Sequence, residues 1–205
     1  MNQPTRVIVM AKAPLAGFAK TRLIAALGAE GAARLAARLL ENAIDQALGA
    51  GLGEVELCCA PDATHAAFAA QARRAGVQIT VQGDGDLGAR MDQAIRRGLA
   101  QARPVILIGT DAPALDAAYL RAARAALARA GTDAVLGPAA DGGYALIGLH
   151  HAQPRLFDAM PWSTDRVLAL TRERLAAAGL SHRELSTLHD IDAAADLVHL
   201  PPGWL

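Results

Sequence analysis

Two rhythms alternate along this chain. Short runs of Val, Ile and Leu are separated by long Ala-, Leu- and Arg-rich stretches whose apolar positions recur every three or four residues. "TRVIVMA" (5–11) predicts a first strand. "AEGAARLAARLLENAIDQALGAG" (29–51) predicts a helix, since Leu35, Leu39, Ala43 and Ala47 repeat every four positions. A strand over 53–60, a helix over 62–76, a strand over 77–82 and a helix over 89–102 follow. "PVILIGT" (104–110) is a fourth strand, with a helix over 116–130 after it. Two strands, 132–139 and 144–150, lie close together in sequence. A helix over 163–179 then has Ser163 or Thr164 as its N-cap. The tail "HRELSTLHDIDAAADLVHL" reads as a strand, a turn and a last short helix.

Strands separated by helices predict one α/β domain over residues 1–205. Its sheet is mainly parallel, with helices on both faces. "PVILIG" is apolar throughout, as a central strand covered on both faces should be. Ligands of such sheets bind at the carboxyl ends of the strands, so the residues after each strand are the candidates for chemistry.

Composition narrows the classes. Hydrophobic residues make up 53% of the chain, enough for a sizeable core, while aromatics are only 3%. Lys+Arg and Asp+Glu are both 20. That balance argues against a nucleic-acid partner, which needs a basic surplus for phosphates. Cys58 and Cys59 are adjacent in a strand and point to opposite faces, so they are expected as separate buried thiols of a reducing compartment. The opening residues 1–14 do not have the pattern of a secretory leader. No apolar run reaches the ~20 residues of a membrane helix. The expectation is a soluble cytoplasmic protein with no membrane partner.

After the first strand comes "KAPLAGFAKTRL". A Walker loop places Lys directly after its second glycine; here Phe18 and Ala19 separate Gly17 from Lys20. Lys12, Ala13, Gly17, Lys20 and Arg22 are instead expected to line a phosphate site through cationic side chains. After the third strand, "GDGDLG" satisfies the dinucleotide fingerprint, but Asp84 and Asp86 put negative charge where a pyrophosphate would sit. Gly85, Asp86 and Arg90 are expected to contact a base or ribose. After the fourth strand, Thr110 and Asp111 stand at the sheet edge, and Asp111 suits a hard cation that takes carboxylate and phosphate oxygens. Asp141, Gly142, Gly143 and Tyr144 form a loop beside that edge. Trp162, Ser163 and Thr164 precede a helix that could hold an acceptor's anion. In the tail, Asp190 or Asp192 offers a second carboxylate. Each feature has a plainer alternative: a solvated basic loop, a tight turn or a helix cap. The six histidines show no metal-ligand spacing, and no nucleophile–base pairing is evident.

"VMAKAPLAGFAKTRL", "GDLGARM", "LIGTDAPAL", "GPAADGGYALIGL", "PWST" and "DIDAAADL" occur in that order across nearly the whole chain. Together they resemble the DUF2064 family, glycosyltransferase-like proteins of the nucleotide-diphospho-sugar transferase (GT-A) superfamily. More distantly, the chain is similar to 2-phospho-lactate and molybdenum-cofactor guanylyltransferases. The resemblance implies a mixed, Rossmann-like α/β sheet, a bound nucleoside triphosphate or nucleotide sugar, a small-molecule acceptor and a divalent cation, Mg²⁺ or Mn²⁺. It implies metal coordination by Asp111 and phosphate contacts by Lys12, Lys20 and Arg22. The residues themselves offer Asp192 as second metal ligand, Asp141 as base or second metal ligand, Asp111, Asp141 and Lys20 as the catalytic set, and Gly142, Gly143, Tyr144, Trp162, Ser163 and Thr164 as the acceptor side. The chain departs from the nucleotidyltransferase opening "LAGGxSxRMGxxK" by lacking its paired glycines. It has "GTDAP" where many glycosyltransferases carry D-x-D. The expected function is a metal-dependent nucleotidyl- or glycosyltransferase. The alternatives are a non-catalytic nucleotide-binding protein or an NAD-dependent oxidoreductase built on "GDGDLG".

Overall fold

The computed structural model describes residues 4–102 and 104–205, so the first residues of the stretch read for a leader lie outside it. The strands are β1 (Arg6–Lys12), β2 (Val55–Ala60), β3 (Val77–Val81), β4 (Val105–Ile108), β5 (Ala134–Pro138), β6 (Tyr144–Leu149) and β7 (His182–Glu184). The helices are α1 (Ile24–Ala50), α2 (Ala66–Ala72), α3 (Leu87–Leu99), α4 (Ala117–Leu127) and α5 (Val167–Ala177), with 3₁₀ turns at Thr21–Leu23, Pro154–Leu156 and Ala194–His199.

All seven strands form one sheet in the order β3-β2-β1-β4-β6-β5-β7. β6 runs antiparallel to both of its neighbours, β4 and β5, and every other pairing is parallel. The expected mixed, mainly parallel sheet is therefore present. The chain winds outward through β1, β2 and β3, then returns to place β4 on the other side of β1. The winding reverses between β1 and β4, and the carboxyl ends of the strands at such a switch point are where sheets of this kind bind ligands.

Each sheet face carries its own apolar layer. Val7, Val9, Leu57, Cys59, Ile106 and Ile108 pack under α1, α2 and α4. Ile8, Met10, Cys58, Val105 and Leu107 pack under α3 and α5. Cys58 and Cys59 are both free and buried, one on each face, as strand alternation requires. A third cluster joins Leu23, Leu35, Leu39 and Ile191, so the tail is anchored to α1 and to the turn that leads into it.

Several expected boundaries move. α1 already begins at Ile24, but Gly28 interrupts it with a left-handed φ of 71°, which is why the sequence periodicity starts only at 29. α2 is shorter than 62–76 because the segment before it folds as a turn: Asp62 accepts from the Thr64 amide, and His65 caps the helix at Ala67. α5 starts at Val167, four residues after the expected 163. Ser163 has a left-handed φ of 63° and cannot continue a helix. The Thr164 hydroxyl donates to the Pro161 carbonyl and accepts from the Arg166 amide. The expected cap residues therefore shape the approach to the helix and do not cap it.

Candidate active site at the strand switch point

The crevice between β1 and β4 holds the strongest charge cluster at the sheet's carboxyl edge. Lys20 lies at the end of the loop after β1, in a left-handed conformation (φ 48°, ψ 47°). Its carbonyl accepts from Leu23, whose side chain is fully buried in the third apolar cluster. Opposite, the tail residue Ile191 packs into the same cluster and donates its amide to the Asp111 carbonyl at 2.9 Å. In an extended segment neighbouring side chains alternate. Burying Ile191 therefore turns Asp190 and Asp192 the other way, toward the crevice.

The result is a bridge. Lys20 Nζ lies 2.7 Å from Asp111 Oδ1 and 2.9 Å from Asp192 Oδ1. The Lys20 side chain is 9% exposed, whereas those of Asp111 and Asp192 are 44% and 42% exposed. The ammonium sits underneath, and the carboxylates keep an open side. Burial alone lowers the Lys20 pKa, but the attraction of Asp111 and Asp192 outweighs it and the net shift is upward. Asp190 Oδ1 is buried without a hydrogen-bond partner. Desolvation, reinforced by the nearby Asp111, Asp141 and Asp192 charges, pushes the Asp190 carboxyl up to about 7. Asp111 and Asp192 thus share one lysine, with the Asp190 carboxyl beside them.

Two carboxylate oxygens converging on one ammonium, with a third unpaired carboxylate beside them, form a donor set suited to a hard cation. Among the described residues, no group of three or more His, Cys, Asp or Glu side chains is arranged to hold a metal ion by itself. Lys20 occupies the space between the two expected ligands, Asp111 and Asp192. Any cation held there would complete its shell with water or ligand oxygens.

The remaining expected residues divide. Thr110 donates its hydroxyl to Asp111 Oδ1 at 3.2 Å, within the cluster. Asp116, and not Asp111, caps α4 by accepting from Tyr119 at 2.7 Å. Lys12 and Arg22 are exposed and make no hydrogen bond or ion pair among the described residues. The Ala13 amide is already committed to the Ala60 carbonyl at 2.8 Å. Gly17 needs its left-handed φ of 81°, but an added Cβ there would meet nothing within 4 Å; glycine serves the turn and not a close backbone approach. Asp141 closes its own turn by accepting from the Gly143 amide at 2.8 Å. Gly142 packs against Asp165 so tightly that a Cβ would collide with its backbone, and its carbonyl accepts from Leu168 at the start of α5. Ser163 and Thr164 are exposed beyond it. Tyr144 is a packing residue: its ring meets Trp162 edge-on at 6.5 Å, and its hydroxyl is buried with no hydrogen bond.

The "GDGDLG" loop folds as a helix cap. Asp86 accepts from the Ala89 amide at 2.8 Å, and Arg90 Nε donates to the Gly85 carbonyl at 2.9 Å. It follows β3, the edge strand, two strands away from the switch point. A dinucleotide fingerprint belongs after the strand beside the crevice, so the oxidoreductase alternative loses its geometric basis. A D-x-D spacing is present at this site: Asp190-Ile191-Asp192 supplies it from the tail, far in sequence from the end of β4.

Solved structures with this architecture come from several organisms. A candidate nucleotide-diphospho-sugar transferase from Desulfovibrio desulfuricans G20 is 28% identical, covers 94% of this chain and 84% of its own, and superimposes with a TM-score of 0.85. A nucleotidyl transferase from Methanothermobacter is 19% identical over 100% of this chain and 98% of its own, with a TM-score of 0.66. A mannosyltransferase from Pyrobaculum calidifontis, in complex with GDP-Man and Mn²⁺, is 15% identical over 93% of this chain and 57% of its own, with a TM-score of 0.60. No curated protein matches the sequence. Residues 43–164 match the model of the family described as "Uncharacterized protein conserved in bacteria (DUF2064)", and the chain belongs to that family.

Proposed function

We propose that this protein is a transferase that draws on an activated nucleotide and uses a divalent cation held by Asp111 and Asp192. The bridge of Lys20 between these two carboxylates, at the switch point of the sheet, carries the reading. Sheets of this kind bind their ligands at that edge, and structures with the same fold include nucleotidyl- and glycosyltransferases.

Bound Mg²⁺ or Mn²⁺ would neutralise charge on phosphate oxygens. The chain's own residues do the rest. Lys12 and Arg22, exposed and unpaired, offer charge to the phosphates from the β1 side. Lys20 adds a hydrogen-bonding ammonium once it turns from the carboxylates. In nucleotidyl transfer, an acceptor oxygen attacks the α-phosphorus, the bond to the bridging oxygen breaks, and pyrophosphate leaves. In glycosyl transfer, the acceptor attacks the anomeric carbon and a nucleoside diphosphate leaves. A hydroxyl acceptor requires a base, and Asp141 and Asp190 are the carboxylates beside the cluster that can serve. The acceptor would approach across Gly142, Gly143, Ser163 and Thr164.

Thermal-shift screening with GTP, CTP, UDP-sugars and NAD, each with and without Mg²⁺ or Mn²⁺, tests the reading. Metal-dependent stabilisation by a nucleoside triphosphate or a nucleotide sugar is expected, and which of the two acts selects the reaction. Stabilisation by NAD alone overturns it. Binding without release of pyrophosphate or nucleoside diphosphate, with any acceptor tried, would leave a nucleotide-binding protein and no transferase.

A further inference from the structure

Lys20 has a place in the site that a simple phosphate clamp does not explain. Its ammonium lies under both carboxylates, with its backbone fixed by the turn to Leu23 and by burial of the Leu23 side chain. A lysine is rare in left-handed backbone, which L-residues other than Gly, Asn and Asp seldom adopt. Here it aims the side chain at Asp111 and Asp192. Lys20 engages Oδ1 of each carboxylate, and both carboxylate side chains are partly exposed, so a cation drawn to them meets the ammonium's charge at close range.

We propose that Lys20 is a resident counter-ion that guards the cation site. It holds Asp111 and Asp192 together in the nucleotide-free protein and is drawn off by the nucleotide's phosphates. This rests on the reading of the site given above. Two consequences follow from charge alone. A divalent ion and the ammonium compete for the same two carboxylates, so free metal binds weakly. Phosphate relieves that competition by giving the flexible four-carbon stem another anion to engage, so metal and nucleotide bind with positive coupling, which is reciprocal by thermodynamic necessity. The exposed Lys12 and Arg22 would meet the phosphates first, and the buried Lys20 would follow.

Titration of nucleotide-free protein with Mn²⁺ alone, reading free Mn²⁺ by electron paramagnetic resonance, tests this without any turnover. Lys20→Gly, which suits the left-handed backbone, and Lys20→Met should each bind Mn²⁺ at least tenfold more tightly than the parent protein. Lys20→Arg should remain weak. Adding Asp111→Asn to Lys20→Gly should abolish the gain. Thermal melts of each variant confirm that it is folded. Equal or weaker Mn²⁺ binding by both folded Lys20 variants overturns the guard role and leaves the transferase reading standing. A gain that survives Asp111→Asn means the cation sits elsewhere, and then the guard role and the metal site proposed above fall together.

Discussion

The molecule contains two ionic clusters at opposite ends of the same parallel strands, and they are built on opposite principles. At the amino ends, Arg6 donates to Glu54, Glu56, Gln78 and Gln101, while Arg97 from α3 donates to Glu56 and Thr80. The Arg6 and Glu56 side chains are 3% and 1% exposed. Two arginines meet two glutamates there, with amide and hydroxyl groups around them, although Arg6 Nε is left without a partner. At the carboxyl ends, two carboxylates bridge one lysine with Asp190 beside them, one Asp190 oxygen is unpartnered, and the two bridged carboxylates are half open. The first cluster is balanced in charge and centred on buried side chains. The second has surplus negative charge and an open side, which is the condition for taking up a cation.

Breaking each cluster should separate stability from binding. The largest effect is expected from Glu56→Ala. It leaves Arg6 buried without its closest buried counter-ion and should cost about 3–5 kcal/mol, read as a drop of roughly 6–20 °C in Tm for a chain of this size. If Tm barely moves, the amino-end cluster is not structural. Asp111→Ala should do the reverse, keeping the fold while removing metal-dependent stabilisation by nucleotide. That stabilisation is about 2.7 kcal/mol for the parent protein at a hundredfold excess over Kd. Retention of the full shift by this variant would refute the metal assignment. Lys20→Ala should weaken nucleotide binding by about 1.5–3 kcal/mol, the scale of a charge-assisted hydrogen bond, and calorimetric dissociation constants decide it.

The smallest effect sets the baseline. Arg172 grips Glu184 through two bonds of 2.6 and 2.7 Å on the surface near the tail. The Arg172 guanidinium holds the Glu184 carboxyl below its ordinary value of 4.5. The pair's contribution is therefore present above pH ~4.5 and is lost as pH falls through the lower folded-state value. Arg172→Ala should cost about 0.2–1 kcal/mol at pH 7, and the difference from the parent should vanish at pH ~2. A difference that persists in acid would show that the lost contact was packing and not charge.

What could be read from sequence follows the range of the interactions involved. β1 to β6 were legible within one to three residues, since each is a local apolar run ended by turn residues. The crossing of β6 between β4 and β5 was not, because strand order is set by pairing across the sheet. Asp111 was legible from its place after a buried strand. Lys20 and Asp192 were grouped with it in the expected site, but their direct bridge was not legible, since Lys20 and Asp192 are separated by 172 positions. The amino-end network escaped notice because Arg6 and Glu56 look like ordinary solvent-facing positions in short strands, and only burial under α3 reveals otherwise. The family match over residues 43–164 likewise includes Asp111 and Asp141 but neither Lys20 nor Asp192.

The link from the Ile191 amide to the Asp111 carbonyl has a consequence for the order in which the protein is made. Synthesis proceeds from the amino end, and contacts distant in sequence form late. Lys20 and Asp111 emerge well before Ile191 docks and carries Asp190 and Asp192 with it. A growing chain can thus assemble most of its sheet before Asp190 and Asp192 reach Lys20. Completion of the Asp111–Lys20–Asp192 bridge reports that residues 190–192 have been made and seated.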